Sequence, residues 1–417
     1  MLAKKKLVLK PGSENSTGQK AKSKNSRIST TWKTKGKFDS FGAFRTWVEI
    51  NQSAVKSNIA VFRKILSPKT KLWSVVKSNA YGHGLVQFSK LAEKFGVDGF
   101  CVDSYVEAVR LRKEGIKKPI LVLGPTLAEL AKDAASKDIV LSVSNFEVLK
   151  HLSQTKNPPK FHIKIDTGMS RQGFFLEDIP KVIKFLNLQP TTYNLSPKLV
   201  GLYTHFASAK DTNYPTYTEH QFELFNKALK LFEKAGYKNL IKHVSATGGA
   251  MINSKYHQDA VRVGIGLYGL WPAKELELQL GNKIHLKPIL SWKTIVSEVK
   301  NIPAGQFVGY DLVERVHRPT KIAVLPIGYW HGLPRALSTI GEVLINGRRA
   351  RILGRVSMDL TVVDVAGVKC QVGDIATLIG KDGQDEISAY EFAAKAGGAS
   401  HYEIVTRLNP LMERILI

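Results

Sequence analysis

Between residues 72 and 263 one pattern repeats. Short apolar runs at 72–76, 99–102, 120–123, 139–143, 161–165, 199–204, 240–244 and 260–263 alternate with amphipathic stretches of helical spacing. Runs that are apolar throughout are what strands buried on both faces look like. Eight in succession, each followed by a helix, predict an α/β fold: a parallel (β/α)8 TIM barrel. Such a barrel gathers its chemistry at the carboxyl ends of its strands. Beyond about residue 286 the texture changes to short strands and Gly turns, at 289–299, 322–327, 342–345, 350–353, 360–363 and 375–379, with one helix near 388–395. That region predicts a C-terminal mainly-β domain.

The expected organisation is therefore a barrel over 43–285, opened by a short strand at 47–50 and a helix through Asn58 and Phe62, then a β domain over 286–417. Thr126 and Glu129 have capping-box spacing for one barrel helix. Residues 1–42 lack periodicity. Eleven of the chain's 61 Lys/Arg but one of its 35 Asp/Glu fall in the first 38 positions, which reads as a basic disordered arm. The net charge of +26 attracts anions non-specifically, but the arm carries no nucleic-acid recognition motif or interleaved aromatics. No apolar run approaches a membrane-spanning length. Cys101 and Cys370 sit far apart in apolar contexts, as reduced core residues of a cytoplasmic protein do.

Chemistry-bearing residues fall at strand ends repeatedly. Lys77 ends the first run, ahead of Ser78-Asn79-Ala80-Tyr81-Gly82-His83-Gly84. A lone lysine there usually marks a solvated strand end. Apolar neighbours, however, ease loss of its proton, and a neutral amine forms a Schiff base with an aldehyde. Thr247-Gly248-Gly249 and Gly264-Ile265 follow the seventh and eighth runs, where barrels commonly bind phosphate, and Tyr81 could add its hydroxyl. His162, Lys164 and Asp166 alternate with apolar residues and so share the barrel interior, with Lys164 close to Arg171. By itself such a lysine is satisfied by Asp166. His205 ends the sixth run and could be a core histidine, a base or a metal ligand. No second ligand stands nearby at metal spacing.

Taken together, Val75-Val76-Lys77-Ser78-Asn79-Ala80-Tyr81-Gly82-His83-Gly84, Lys164-Ile165-Asp166-Thr167-Gly168-Met169-Ser170-Arg171, Phe307-Val308-Gly309-Tyr310-Asp311 and Val356-Ser357-Met358-Asp359 resemble the alanine racemases. The resemblance runs from about Thr46 to Pro410. It implies pyridoxal 5'-phosphate held as an aldimine on Lys77, with Tyr81, His205, Thr247, Arg262, Gly264 and Ile265 around the cofactor. Arg262 would face the pyridine nitrogen and His243 would orient Arg262. Arg171 and Met358 would contact the substrate, Lys164 would be a site of carbamylation, and Tyr329 would gate access. Lys77 and Tyr310 would be the two catalytic bases on opposite faces of the amino acid, with Tyr310 reaching a neighbouring subunit's cofactor in a homodimer. The implied activity interconverts L-alanine and D-alanine for peptidoglycan. Three features depart from the family pattern: Ala246-Thr247 stands where Asn-Ser is common, Trp330-His331 follows Tyr329, and Thr406 occupies the register of a phosphate-binding tyrosine. A broader racemase acting on lysine, arginine or serine stays open, as do a barrel-type decarboxylase and a non-catalytic cofactor carrier.

Overall fold

The computed structural model describes residues 44–187 and 195–417, so the expected arm over 1–42 lies outside the described residues. The eight predicted runs form one parallel sheet of Lys71–Val75, Gly99–Val102, Ile120–Val122, Ile139–Val143, Phe161–Lys164, Leu199–Tyr203, Ile241–His243 and Ala260–Val263. Neighbours pair in chain order, and the first strand also pairs with the last. The remaining seam is bridged by Asp259 N donating to Lys242 O and Arg262 N donating to Ser245 O, both at 3.0 Å. The strands are buried on both faces. Outward residues such as Leu72, Phe100 and Ile163 pack with helix residues such as Phe62, Phe88 and Phe225, while Trp73, Val75, Cys101, Leu121 and Ala260 fill the interior as a separate cluster.

The second sheet is mainly antiparallel, and the strand Thr46–Ile50 belongs to it. That strand runs antiparallel to Leu290–Ile295 and parallel to Glu413–Leu416. The expected barrel over 43–285 is corrected on this point: its opening strand completes the other sheet. The reason lies in long-range packing. Trp47, Val48 and Ile50 are buried, Thr46 Oγ1 lies 2.8 Å from Thr294 Oγ1, and Glu49 is paired with Lys293 at 2.7 Å. A four-residue apolar run does not encode which distant strand it will meet.

Two local features also differ from expectation. Thr126 caps nothing: the 3-10 turn Ala128–Leu130 starts from Leu127 without a side-chain cap, and Thr126 Oγ1 is buried and unpartnered. The capping box forms instead at Ser104 and Glu107, at the start of Tyr105–Lys113. The helix His401–Thr406 and the final strand have no counterpart among the elements expected from the sequence.

Candidate active site

Lys77 stands just past the end of the first barrel strand and opens a turn of opposite hand to an ordinary helix. Ser78, Asn79, Ala80 and Tyr81 have φ of 55°, 56°, 52° and 52°. For L-residues this region costs about 1–2 kcal/mol each. The turn is held by side chains at defined points. Glu107 Oε1 accepts from Ser78 N at 2.6 Å, and Asn79 Oδ1 accepts from Leu85 N at 2.9 Å. Tyr268 donates to Val75 O at 2.8 Å, just ahead of the turn. The result aims the amine into the barrel mouth, where Lys77 Nζ meets Asp103 Oδ1 at 3.3 Å. Costly backbone of this sort persists where a side chain must be held in one place.

A cavity of about 760 Å³ opens there, lined by Lys77, Tyr81, Lys164, Arg171, His205, Thr247, Arg262, Gly264 and Ile265. These are nine of the residues singled out from the sequence, drawn from the ends of different strands. Gly264 lies against Tyr81: a Cβ there would stand 2.8 Å from the phenol oxygen. Thr247 Oγ1 accepts from Gly264 N at 3.1 Å, joining the seventh and eighth loops. Among the described residues, the amides of Gly248, Gly249 and Ile265 donate to no protein acceptor. Unused N–H groups converging from two loops suit an anion, since a buried donor left alone costs free energy. An amine, free amides and a buried guanidinium around one cavity are the groups that a phosphorylated pyridine aldehyde requires.

Arg262 is 2 % exposed, and both of its terminal nitrogens are engaged with neutral acceptors. Nη1 lies 2.6 Å from His243 Nδ1 and donates to His243 O at 3.0 Å; Nη2 donates to Thr204 O at 2.8 Å and lies 3.2 Å from His205 Nδ1. A guanidinium has no lone pair to offer. Both histidine Nδ1 atoms must therefore accept, which fixes their tautomers. His243 Nε2 then carries the proton and donates to His162 Nδ1 at 2.7 Å. Burial, then the nearby Arg262 charge, pushes His162 and His205 down to about 3 and His243 well below its ordinary value. All three rings are neutral, and Arg262 Nε is left without a protein acceptor among the described residues. Gly201 makes room for the relay, since a Cβ there would stand 2.4 Å from the His162 ring.

Lys164 does not pair with Asp166. The Asp166 carboxylate is taken by the amides of Gly168, Ser170 and Arg171 at 2.9–3.0 Å, which shapes the loop that carries Arg171. Lys164 Nζ donates instead to Gln172 Oε1 at 3.0 Å. Burial, then Arg171 and Arg262, pushes the amine down to about 8. Arg171 presents its guanidinium to the cavity with no protein acceptor among the described residues.

Tyr310, Tyr329 and Met358 lie elsewhere. All three sit in the second sheet region, and none lines the cavity; Tyr310 is 69 % exposed. Tyr329 and Met358 are near each other, because Tyr329 N donates to Ser357 O at 3.0 Å and Trp330 N donates to Met358 O at 3.1 Å. Three cavity or support residues were missed from the sequence. Tyr402 lines the cavity with its ring 6.2 Å from that of Tyr81. It stands one helical turn before Thr406, whose hydroxyl turns back to Tyr402 O and Glu403 O. Glu107 anchors the lysine turn, and its Ser-x-x-Glu spacing after Ser104 was a readable signal. Gln172 carried none.

The match to known proteins covers both regions. Residues 50–272 match the family model for the alanine racemase N-terminal domain, and residues 289–416 the model for the C-terminal domain. The alanine racemase of Leptospira interrogans is 37% identical over 386 residues, covering 90% of this chain and 96% of that protein. The alanine racemase of Methanococcus maripaludis is 38% identical over 381 residues, covering 89% and 98%. The crystal structure of the Bacillus anthracis alanine racemase with bound L-Ala-P superposes with a TM-score of 0.83 at 33% identity, covering 89% of this chain and 95% of that one. With both domains matched and relatives more than a third identical over nine-tenths of its length, the chain is a member of the alanine racemase family.

Proposed function

We propose that two copies of this chain together interconvert L-alanine and D-alanine, with pyridoxal 5'-phosphate bound at Lys77. One observation carries the reading: a single cavity presents the Lys77 amine, three unused backbone amides and the Arg262 guanidinium. Lys77 would hold the cofactor aldehyde. The amides of Gly248, Gly249 and Ile265, with Tyr81 and Thr247, would hold the phosphate, and Arg262 Nε would face the ring nitrogen. When bound, the cofactor acidifies the Cα–H of an amino acid joined to it.

The chain's own residues do the rest. Arg171 grips the substrate carboxylate with its fork. Lys77 Nζ, once freed, takes or returns the Cα proton on one face. Inversion needs a second base on the opposite face. Tyr310 Oη from a second copy fills that role, which accounts for its exposure; Met358 and Tyr329 accompany it as substrate contact and gate. A homodimer is thus the working unit. The Arg262 guanidinium has no lone pair with which to accept a proton, so beside the ring nitrogen it would keep the bound cofactor a weak electron sink, which suits racemisation. Lys164, with its amine pushed down to about 8, is the residue to carry a carbamate, which would receive a bond from the unpartnered Gln172 Nε2 and attract Arg171. A cytoplasmic enzyme of this kind supplies D-alanine to peptidoglycan synthesis.

The test is a visible spectrum of the purified protein, then borohydride reduction and peptide mapping. A yellow chromophore trapped on the peptide containing Lys77, with alanine turned over faster than serine, lysine or arginine, is the expected result. Colourless protein after incubation with cofactor would overturn the reading.

A further inference from the structure

Arg414 lies on the strand Glu413–Leu416 and is only 6 % exposed. Among the described residues it makes no ion pair. Five N–H···O contacts run instead to four backbone carbonyls. Nε and Nη2 donate to Gly82 O at 3.2 and 3.0 Å, Nη1 to Asn409 O at 2.7 Å and Met412 O at 2.5 Å, and Nη2 to Leu408 O at 3.2 Å. Burial pushes its pKa down to about 10, so the group is still charged near neutral pH. A buried cation without an anion is tolerated only where its hydrogens are all used. A planar fork with five donors can make all five of these contacts at once; an ammonium has only three.

Gly82 is the exit of the left-handed turn that Lys77 opens. It is confined from a second side too, because a Cβ there would stand 1.8 Å from Val405 O in the helix His401–Thr406. Gly84 touches the Arg414 stem in the same way, at 3.2 Å for its would-be Cβ. The entrance of the turn is fixed by Glu107 at Ser78 N, and its exit by Arg414 at Gly82 O. Four consecutive residues in an unfavourable conformation relax unless both ends are pinned.

We infer that Arg414 is a positioning residue for Lys77: from the last strand of the chain, its guanidinium pins the exit of the left-handed turn and so sets where the amine stands. The inference rests on Lys77 being the cofactor lysine.

The experiment uses the full chain, with Arg414→Lys, Arg414→Met and Met412→Ala. Met412→Ala trims core packing in the same segment but keeps the carbonyl that Arg414 uses. Amide exchange across residues 78–84 is measured in cofactor-free protein well below each melting temperature, followed by titration with pyridoxal 5'-phosphate. Both Arg414 variants are expected to exchange faster across 78–84. They should also bind the cofactor roughly tenfold more weakly, the effect of removing one charge-assisted hydrogen bond. Met412→Ala is expected to lower the melting temperature and change neither. If Arg414→Met does not accumulate folded, Arg414→Lys decides. Unchanged exchange in Arg414→Lys, or equal loosening in Met412→Ala, overturns the inference whatever the activity. Wild-type chain that binds no cofactor would sink the functional reading, while the exchange comparison, made without cofactor, still decides this one.

Discussion

His243 Nδ1 lies 2.6 Å from Arg262 Nη1, and that contact settles which ring atoms carry protons at the base of the cavity. His243→Ala would leave a buried guanidinium N–H facing a void and would free the His162 ring. A loss of about 2–4 kcal/mol is expected in urea unfolding. His243→Gln, which can still offer an acceptor, should recover part of it.

Tyr310→Phe removes the only proposed proton carrier on the second face. Racemisation followed by circular dichroism should fall by about 100-fold or more. Exchange of the Cα proton of one alanine enantiomer with solvent deuterium should survive through Lys77. Loss of exchange from both enantiomers in equal measure would mean that the two bases are not divided in this way.

Gly264→Ala tests the cradle. The new methyl would stand 2.8 Å from the Tyr81 phenol, and the glycine backbone there needs no left-handed freedom. Secondary structure should be retained. Cofactor affinity, by titration of the visible band, should drop by about tenfold or more, because the methyl and the phosphate compete for the same space.

Acid should unfold this protein early. His83 is pushed down to about 4 by burial, and His162 and His205 to about 3. Each is neutral when folded and takes a proton near pH 6.5 when unfolded. Between pH 6.5 and about 4 the unfolded chain therefore binds more protons, and stability falls as pH falls. The loss per ring is of order 3–5 kcal/mol across the full window. The urea midpoint should drop steeply from pH 7 to pH 5. Lys164 acts in another window. Its folded pKa of about 8 lies below its ordinary 10.5, so its penalty is full below pH 8 and is relieved as pH rises toward 10.5.

The barrel was legible because each of its strands is a separate apolar run bounded by helical spacing, and that local pattern survives folding. Lys77, Arg262 and Thr247 could be placed because strand ends follow from strand positions. Partners set by distance could not. Asp166 looks like the natural mate of Lys164 two residues away, but it spends its oxygens on the loop that follows. The left-handed turn is likewise invisible. Ser78, Asn79, Ala80 and Tyr81 have no glycine among them, and the side chains that hold their conformation, Glu107 from another barrel unit and Arg414 from the last strand, are distant in sequence. Tyr402 was missed because the expected register fell on Thr406, one helical turn later.

The strand Thr46–Ile50 lies between Leu290–Ile295 and Glu413–Leu416. A ribosome releases the first of these early and the other two late. Thr46–Ile50 must therefore wait, with its apolar residues unmatched, through synthesis of the more than 200 residues that precede its antiparallel partner. Its parallel neighbour emerges more than 100 residues later still. A chain cut before residues 413–416 would expose the Thr46–Ile50 edge of the sheet, an open edge of the kind that aggregates.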